Sequence, residues 1–140
     1  MPMINVTAPE GALDQASQDT LLKRATETLL KWEGAPLDNA LIRASAWSYY
    51  HEVPAQSFYV GGEVAQAPKF RIEITTPEGV LDDQKRAGLV ADIGKIVDEV
   101  IGKAGAGYNH WVLLSEIKDG GWGVAGGITR LADLRAAAQG

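Results

Sequence analysis

The sequence predicts an α+β fold in which two β-α-β units in tandem form a four-stranded sheet with two helices on one face. Three observations carry this. PEGALD at residues 9–14 returns as PEGVLD at 77–82. The same shift of 68 positions pairs Ile4 with Ile72, Val6 with Ile74, Thr7 with Thr75, Leu21 with Leu89 and Gly34 with Gly102, so a whole unit is duplicated. Each hexapeptide is also preceded by alternating apolar and polar residues and followed by apolar residues at three-to-four spacing, the periods of a strand and a helix. The 140 residues suffice for one domain with its own core. Within residues 1–140, repeat one spans 2–66, repeat two spans 69–130, and 131–140 form a C-terminal tail.

In the first unit, residues 2–8 alternate, with Pro2, Ile4 and Val6 on one face and Asn5 and Thr7 on the other. Pro9 and Gly11 turn the chain, and Asp14 is placed to cap a helix beginning near Gln15. That helix carries Leu22, Ala25, Leu29 and Trp32 along one stripe and stops at Gly34-Ala35-Pro36. A second strand is expected around Leu41–Tyr49, followed by a loop or short hairpin closed by Gly61-Gly62. In the second unit, Phe70, Ile72 and Ile74 alternate with Arg71, Glu73 and Thr75. A helix from about Asp83 to Ile101 presents Leu89, Ile93, Val97 and Val100, and Gly102 ends it. Gly88 and Gly94 inside it cost about 1 kcal/mol each against alanine, which close backbone approach would offset. The last strand is His110–Ile117, before the glycine-rich DGGWGVAGG.

Parallel pairing within each unit and right-handed crossovers put both helices on one face. The chain has nothing left to cover the other face, so association with further copies is expected. The strand bearing Trp47, Tyr49 and Tyr50 suits either an interface or a core role.

Composition narrows the function. A net charge of −5 argues against a phosphate-tracking surface, and hence against nucleic acid as a partner. The absence of cysteine removes thiol chemistry and fits a reducing, cytoplasmic location. His51 and His110 lie far apart without a ligand cluster at metal spacing, so no metal is expected. No apolar run approaches membrane-spanning length, and no signal-peptide pattern opens the chain. Asn5-Val6-Thr7 matches the glycosylation sequon but lacks a secretory context.

Two stretches invite chemistry. Residues 121–126 (GWGVAG) formally satisfy G-x-G-x-x-G, but only ITRLADLRAAAQ follows and no strand lies beyond, so a glycine-rich hairpin is the better account. Pro2 is the other. An initiator methionine before proline is usually removed, leaving a free secondary amine at the head of the first strand. An α-amino group titrates near neutrality, and apolar neighbours disfavour its charged form. A neutral amine near its own pKa is an effective general base.

A proline-initiated, duplicated β-α-β chain with EG turns and glycine-pair hairpins resembles the tautomerase superfamily. The stretches that carry the resemblance are PMINVTAPEG, EVPAQSFYVGG, TTPEGVLDDQK and HWVLLSEIKDGGWGVAGG, covering nearly the whole chain. The double length and EVPAQSFYVGG are most similar to the cis-3-chloroacrylic acid dehalogenase-like branch. The chain also resembles the malonate semialdehyde decarboxylase-like branch. The resemblance implies a MIF-like sheet, a homotrimer with helices outside, no cofactor, and an amino-terminal proline as catalytic base or acid. It also exposes departures. The arginine that short members place after the first EG is Ala12, and their second arginine falls on Leu41 and Trp111. Paired arginines of the dehalogenase and decarboxylase branches fall on Pro77, Glu78 and Val80. The dehalogenase's histidine and tyrosine fall near Leu29 and on Leu113.

Arg43 and Arg71 are the candidate replacements for these cations. Asp38 or Asn39 lies near the decarboxylase's carboxylate, and Phe58 and Trp122 match the aromatic that walls the family's pocket. The expected activity is Pro2-dependent keto–enol interconversion of a small, apolar or aryl 2-oxo acid. Hydration, dehalogenation or decarboxylation of a three-carbon acid is one alternative. A binding protein that has lost catalysis is the other.

Overall fold

The structure is a computed structural model that describes residues 1–102 and 107–139. In the first unit, β1 (Met3–Pro9), α1 (Gln15–Trp32), a short α2 (Ala40–Ser45) and β2 (Trp47–Val53) precede a hairpin of β3 (Tyr59–Val60) and β4 (Glu63–Val64). The second unit runs β5 (Phe70–Pro77), α3 (Asp83–Ile101), β6 (His110–Ile117) and a hairpin of β7 (Trp122–Val124) and β8 (Gly127–Thr129). The chain then forms α4 (Leu131–Gln139).

Four long strands make one mixed sheet in the order β2-β1-β5-β6. Pairing is parallel inside each unit and antiparallel where β1 meets β5. The two units therefore point in opposite directions, and each end of the sheet receives the start of one unit and the finish of the other.

The repeated hexapeptide builds the same turn twice. Gly11 and Gly79 both adopt φ 83°, a left-handed conformation that glycine takes without a Cβ penalty. Ala12 N–H reaches the Pro9 carbonyl at 3.1 Å, and Val80 N–H reaches that of Pro77 at 3.3 Å. Asp14 and Asp82 then cap α1 and α3, accepting from Ser17 N–H and Lys85 N–H at 2.8 Å each. Hydrogen bonding of Asp14 to Ser17 also holds its carboxyl below the usual range.

Alternation places Ile4, Val6 and Ala8 of β1 and Phe70, Ile72 and Ile74 of β5 under the helices, all buried. Leu21, Ala25, Leu29 and Leu30 of α1 meet Leu89, Ile93, Ile96 and Val97 of α3 above them. Leu21 and Ile96 take the deep positions, while Leu22 and Val100 pack at the margin. Gly88 is explained by a side chain rather than by backbone approach. A Cβ there would stand 2.3 Å from the Trp32 ring, whose indole N–H donates to Asp92 Oδ2 at 2.9 Å. The Gly94 position meets only the His110 ring, at an ordinary 3.5 Å.

The expected second strand needs correction. Residues 40–45 are helical because the Asn39 side chain accepts from Leu41 N–H at 3.0 Å and Ile42 N–H at 3.1 Å, and the strand starts only at Trp47. Both hairpins turn on two residues of positive φ, Gly61-Gly62 and Ala125-Gly126, the conformation that suits the twist of paired strands. Tyr50 belongs to the helix side of the sheet and packs against the core. Trp47, Tyr49, Arg71 and Trp111 belong to the open side, where both tryptophans are 63% exposed. Among the described residues, no helix is long and apolar enough to cross a membrane.

Candidate active site

Pro2 lies where β1 begins, its side chain buried with the core and its carbonyl accepting Trp47 N–H at 3.1 Å. That bond starts the β1–β2 ladder and fixes the head of the strand. Two cavities meet at this point, and Met1 and Ser45 line both. One, of about 500 Å³, is mainly apolar and is walled by Pro2, Leu41, Trp47, Trp122 and Val124. The other, of about 360 Å³, is walled by Glu33, Val80, Asp82, Lys85 and Arg135. Met1 lines both and Pro2 only the apolar one, so removal of Met1 would free the Pro2 nitrogen beside the place where the two adjoin.

Topology explains which hairpin reaches Pro2. β5 runs antiparallel to β1, so β6 finishes beside the head of β1 and delivers the β7–β8 hairpin there. Trp122 thereby lines the Pro2 cavity. The first unit's hairpin follows β2, whose last residue pairs with Pro9, so Phe58 belongs to the opposite end of the sheet, the end at which β5 starts.

The polar cavity is closed by a segment that sequence periodicity treated as a tail. Leu131 N–H donates to Asp119 Oδ1 at 3.0 Å, and the Arg130 guanidinium stands 3.7 Å from Asp119 Oδ2. Asp119 N–H in turn donates to Glu78 Oε2 at 3.0 Å. These bonds fasten α4 over the second EG turn and place Arg135 in the cavity wall.

Glu33 is the residue that sequence reasoning missed. It caps the end of α1, its N–H bonding the Leu29 carbonyl at 2.9 Å. Its Oε1 is buried with no hydrogen-bond partner. Burial pushes the carboxyl up to about 7, an effect partly offset by the chain's terminal ammonium. Burial lowers the terminal amine, and the Glu33 charge partly restores it. A carboxylate at a helix C-terminus also opposes the helix dipole, and this mismatch was the readable signal.

The remaining sequence candidates lie elsewhere within this chain. Arg43 donates to the Leu37 carbonyl at 3.3 Å and stands 3.9 Å from Glu27, facing a different cavity. Arg71 is on the open face near the far end of β1, 3.6 Å from Glu73. Asn39 caps α2, and Asp38 precedes it in the turn between the helices. Lys85 and Arg135 are the cations of the polar cavity, and among the described residues neither joins an ion pair. Among the described residues no cluster of three potential metal ligands occurs.

No protein-family model and no curated protein matches the sequence. Solved structures do. A fused 4-OT described as a wild-type symmetric trimer is 26% identical over 99% of this chain and 98% of its own, with a TM-score of 0.73. The structure of Pt0534 inactivated by 2-oxo-3-pentynoate is 26% identical over 93% of this chain and 97% of its own, at TM-score 0.76. N1, a member of the cis-3-chloroacrylic acid dehalogenase family, shares the fold at TM-score 0.77 with 16% identity, covering 96% of this chain and 89% of its own. The likeness spans both units in every case.

Proposed function

We propose, for a chain that has the double-length fold of the tautomerase superfamily, that the amine of Pro2 serves as general base and acid in keto–enol interconversion of a small 2-oxo acid. The observation that carries this reading is the position of Pro2, buried in the wall of an apolar cavity that shares Met1 and Ser45 with a polar one. Burial already lowers the amine of Met1, and the apolar wall around Pro2 would act on its amine in the same direction. A neutral amine takes a proton from the carbon beside the carbonyl and returns it as the ammonium.

The two cavities divide the substrate. Trp47, Trp122 and Leu41 suit an apolar or aryl body. Lys85 and Arg135 suit the carboxylate, beside Val80 where the resemblance implies an arginine. Inactivation of a 26%-identical relative by 2-oxo-3-pentynoate supports a 2-oxo acid as the ligand class. Assembly as a homotrimer belongs to the same proposal. The relative described as a symmetric trimer and the exposed Trp47 and Trp111 of the open sheet face both support it.

One rival, binding without turnover, draws support from Val80 in a cavity where the resemblance implies an arginine. Intact mass and a single substitution separate the two. A chain without Met1 should ketonise the enol of an arylpyruvate, and Pro2→Ala should abolish that turnover with the oligomer unchanged. Retention of Met1, or turnover untouched by Pro2→Ala, would sink the proline mechanism.

A further inference from the structure

We propose that Glu33 is the second proton-carrying group of this site, exchanging a proton with the substrate oxygen while the Pro2 amine exchanges one with the substrate carbon. The inference rests on the Pro2 reading. Its own support is geometric. A functional carboxyl needs a position beside the reacting atoms, a reason to hold a proton, and a route for returning it. Glu33 lines the cavity that Met1 occupies. Loss of Met1 moves the terminal amine by about 3.3 Å, one strand residue, to Pro2, which lines the adjoining cavity that shares Met1 and Ser45 with that of Glu33. The buried, unpartnered Oε1 is open to a donor or acceptor that the folded chain does not itself supply. A substrate hydroxyl or carbonyl oxygen meets that need.

The groups that face Glu33 come from three directions. They are the terminal amine at the head of β1, Asp82 and Lys85 at the start of α3, and Arg135 of α4. With Met1 in place, burial pushes the Glu33 carboxyl up to about 7, against the attraction of the terminal ammonium. An acid near the working pH donates and accepts with comparable ease.

The step balances without any co-reactant. In enolisation the neutral Pro2 amine takes the proton of the C–H bond, whose electron pair becomes the C=C bond. The carbonyl π pair takes the proton of Glu33, forming O–H. The pair then holds one proton on the amine and a carboxylate on Glu33, and proton return from ammonium to carboxylate resets it. Ketonisation is the reverse, starting from ammonium and carboxylate. In both directions the working form carries one proton across the two groups, so two protons or none are inactive and the apparent pKa values belong to the pair.

The test is the pH profile of kcat for ketonisation of the enol of phenylpyruvate, in the wild type, Glu33→Gln, Glu33→Asp and Pro2→Ala. Expected is a bell for the wild type. Glu33→Gln should lose on the order of 100-fold or more in kcat with KM little changed. Its acid limb should vanish and its alkaline limb remain. Glu33→Asp should recover part of the rate with a displaced acid limb, which also decides the matter should the glutamine variant fail to fold. Full activity and an intact bell in Glu33→Gln, with Pro2→Ala inactive, would overturn the role of Glu33 and leave Pro2 standing. Turnover unaffected by either substitution would overturn both.

Discussion

Gly88→Ala is a substitution that helix propensity calls favourable and this structure calls damaging. In an ordinary helix interior the change gains about 1 kcal/mol. Here the new Cβ would stand 2.3, 2.4 and 2.8 Å from three carbons of the Trp32 ring, where carbon atoms rest at about 3.5–4.0 Å. The ring must retreat by more than about 1 Å. It is held by the bond from its N–H to Asp92 at 2.9 Å, so the retreat costs packing and stretches or breaks that bond. Overpacking of about 1–3 kcal/mol and a hydrogen bond of about 1 kcal/mol outweigh the propensity gain. The net expectation is a destabilisation of about 1–3 kcal/mol. In a Trp32→Leu background the obstacle is absent, and the same Gly88→Ala should stabilise by about 1 kcal/mol. Urea unfolding at one fixed protein concentration reads both backgrounds through the midpoint at unchanged slope. The reasoning fails if Gly88→Ala has the same sign in each.

Glu33 makes a pH-dependent contribution with a definite sign, testable in protein whose retention of Met1 is verified by intact mass. The unfolded chain releases the Glu33 proton near 4.5 and the folded chain near 7, so folding stability contributed by the neutral acid is lost as pH rises across that window and levels off above it. Across it, Glu33→Gln should gain on the order of 3 kcal/mol on the wild type, read from unfolding midpoints at pH 4 and pH 8; parallel profiles would refute the shift. Asn39 separates a capping role from a binding one. Asn39→Ala should cost about 1 kcal/mol and raise KM, because α2 carries Leu41 and Ser45 into the Pro2 cavity, whereas Asn39→Asp should restore both. Loss of turnover in Asn39→Asp at normal stability would instead mark Asn39 as a substrate contact.

The fold was legible because the duplication constrains it twice. Alternation in MINVTA and FRIEIT, two EG turns and two aspartate caps each repeat, and a misreading of one copy would have conflicted with the other. The misread segment lies between α1 and β2. ALIRAS has apolar residues that suit either a strand or a helical turn, and the deciding fact is that Asn39 satisfies two N–H groups at once. Of the residues that line the candidate site, Pro2 and Trp122 were legible, because their position follows from strand parity and topology. Glu33, Lys85 and Arg135 were not. Those three come from a helix end, a first helical turn and the terminal helix, and only packing of α4 on the second EG turn brings them to one cavity.

This arrangement gives the duplication an asymmetric consequence. Antiparallel pairing of β1 with β5 makes the two ends of the sheet equivalent in backbone, each with a strand head, an EG turn and the hairpin of the opposite unit. At one end the strand head is Pro2, able to present an amine, with Trp122 beside it. At the other the strand head is Phe70, buried in mid-chain, and the hairpin brings Phe58. A peptide nitrogen at Phe70 cannot act as a base. The C-terminal helix is likewise present at one end alone, over the polar cavity that adjoins that of Pro2. That placement follows from chain order, since α4 comes directly after β8 at this end, and it carries Arg135 into the cavity wall. Deletion of residues 131–140 should therefore raise KM for an enol 2-oxo acid far more than Arg135→Ala does, because it opens the cavity as well as removing the charge. Equal KM in the truncated and full-length chains, measured on protein of the same oligomeric size, would assign the helix a structural role instead.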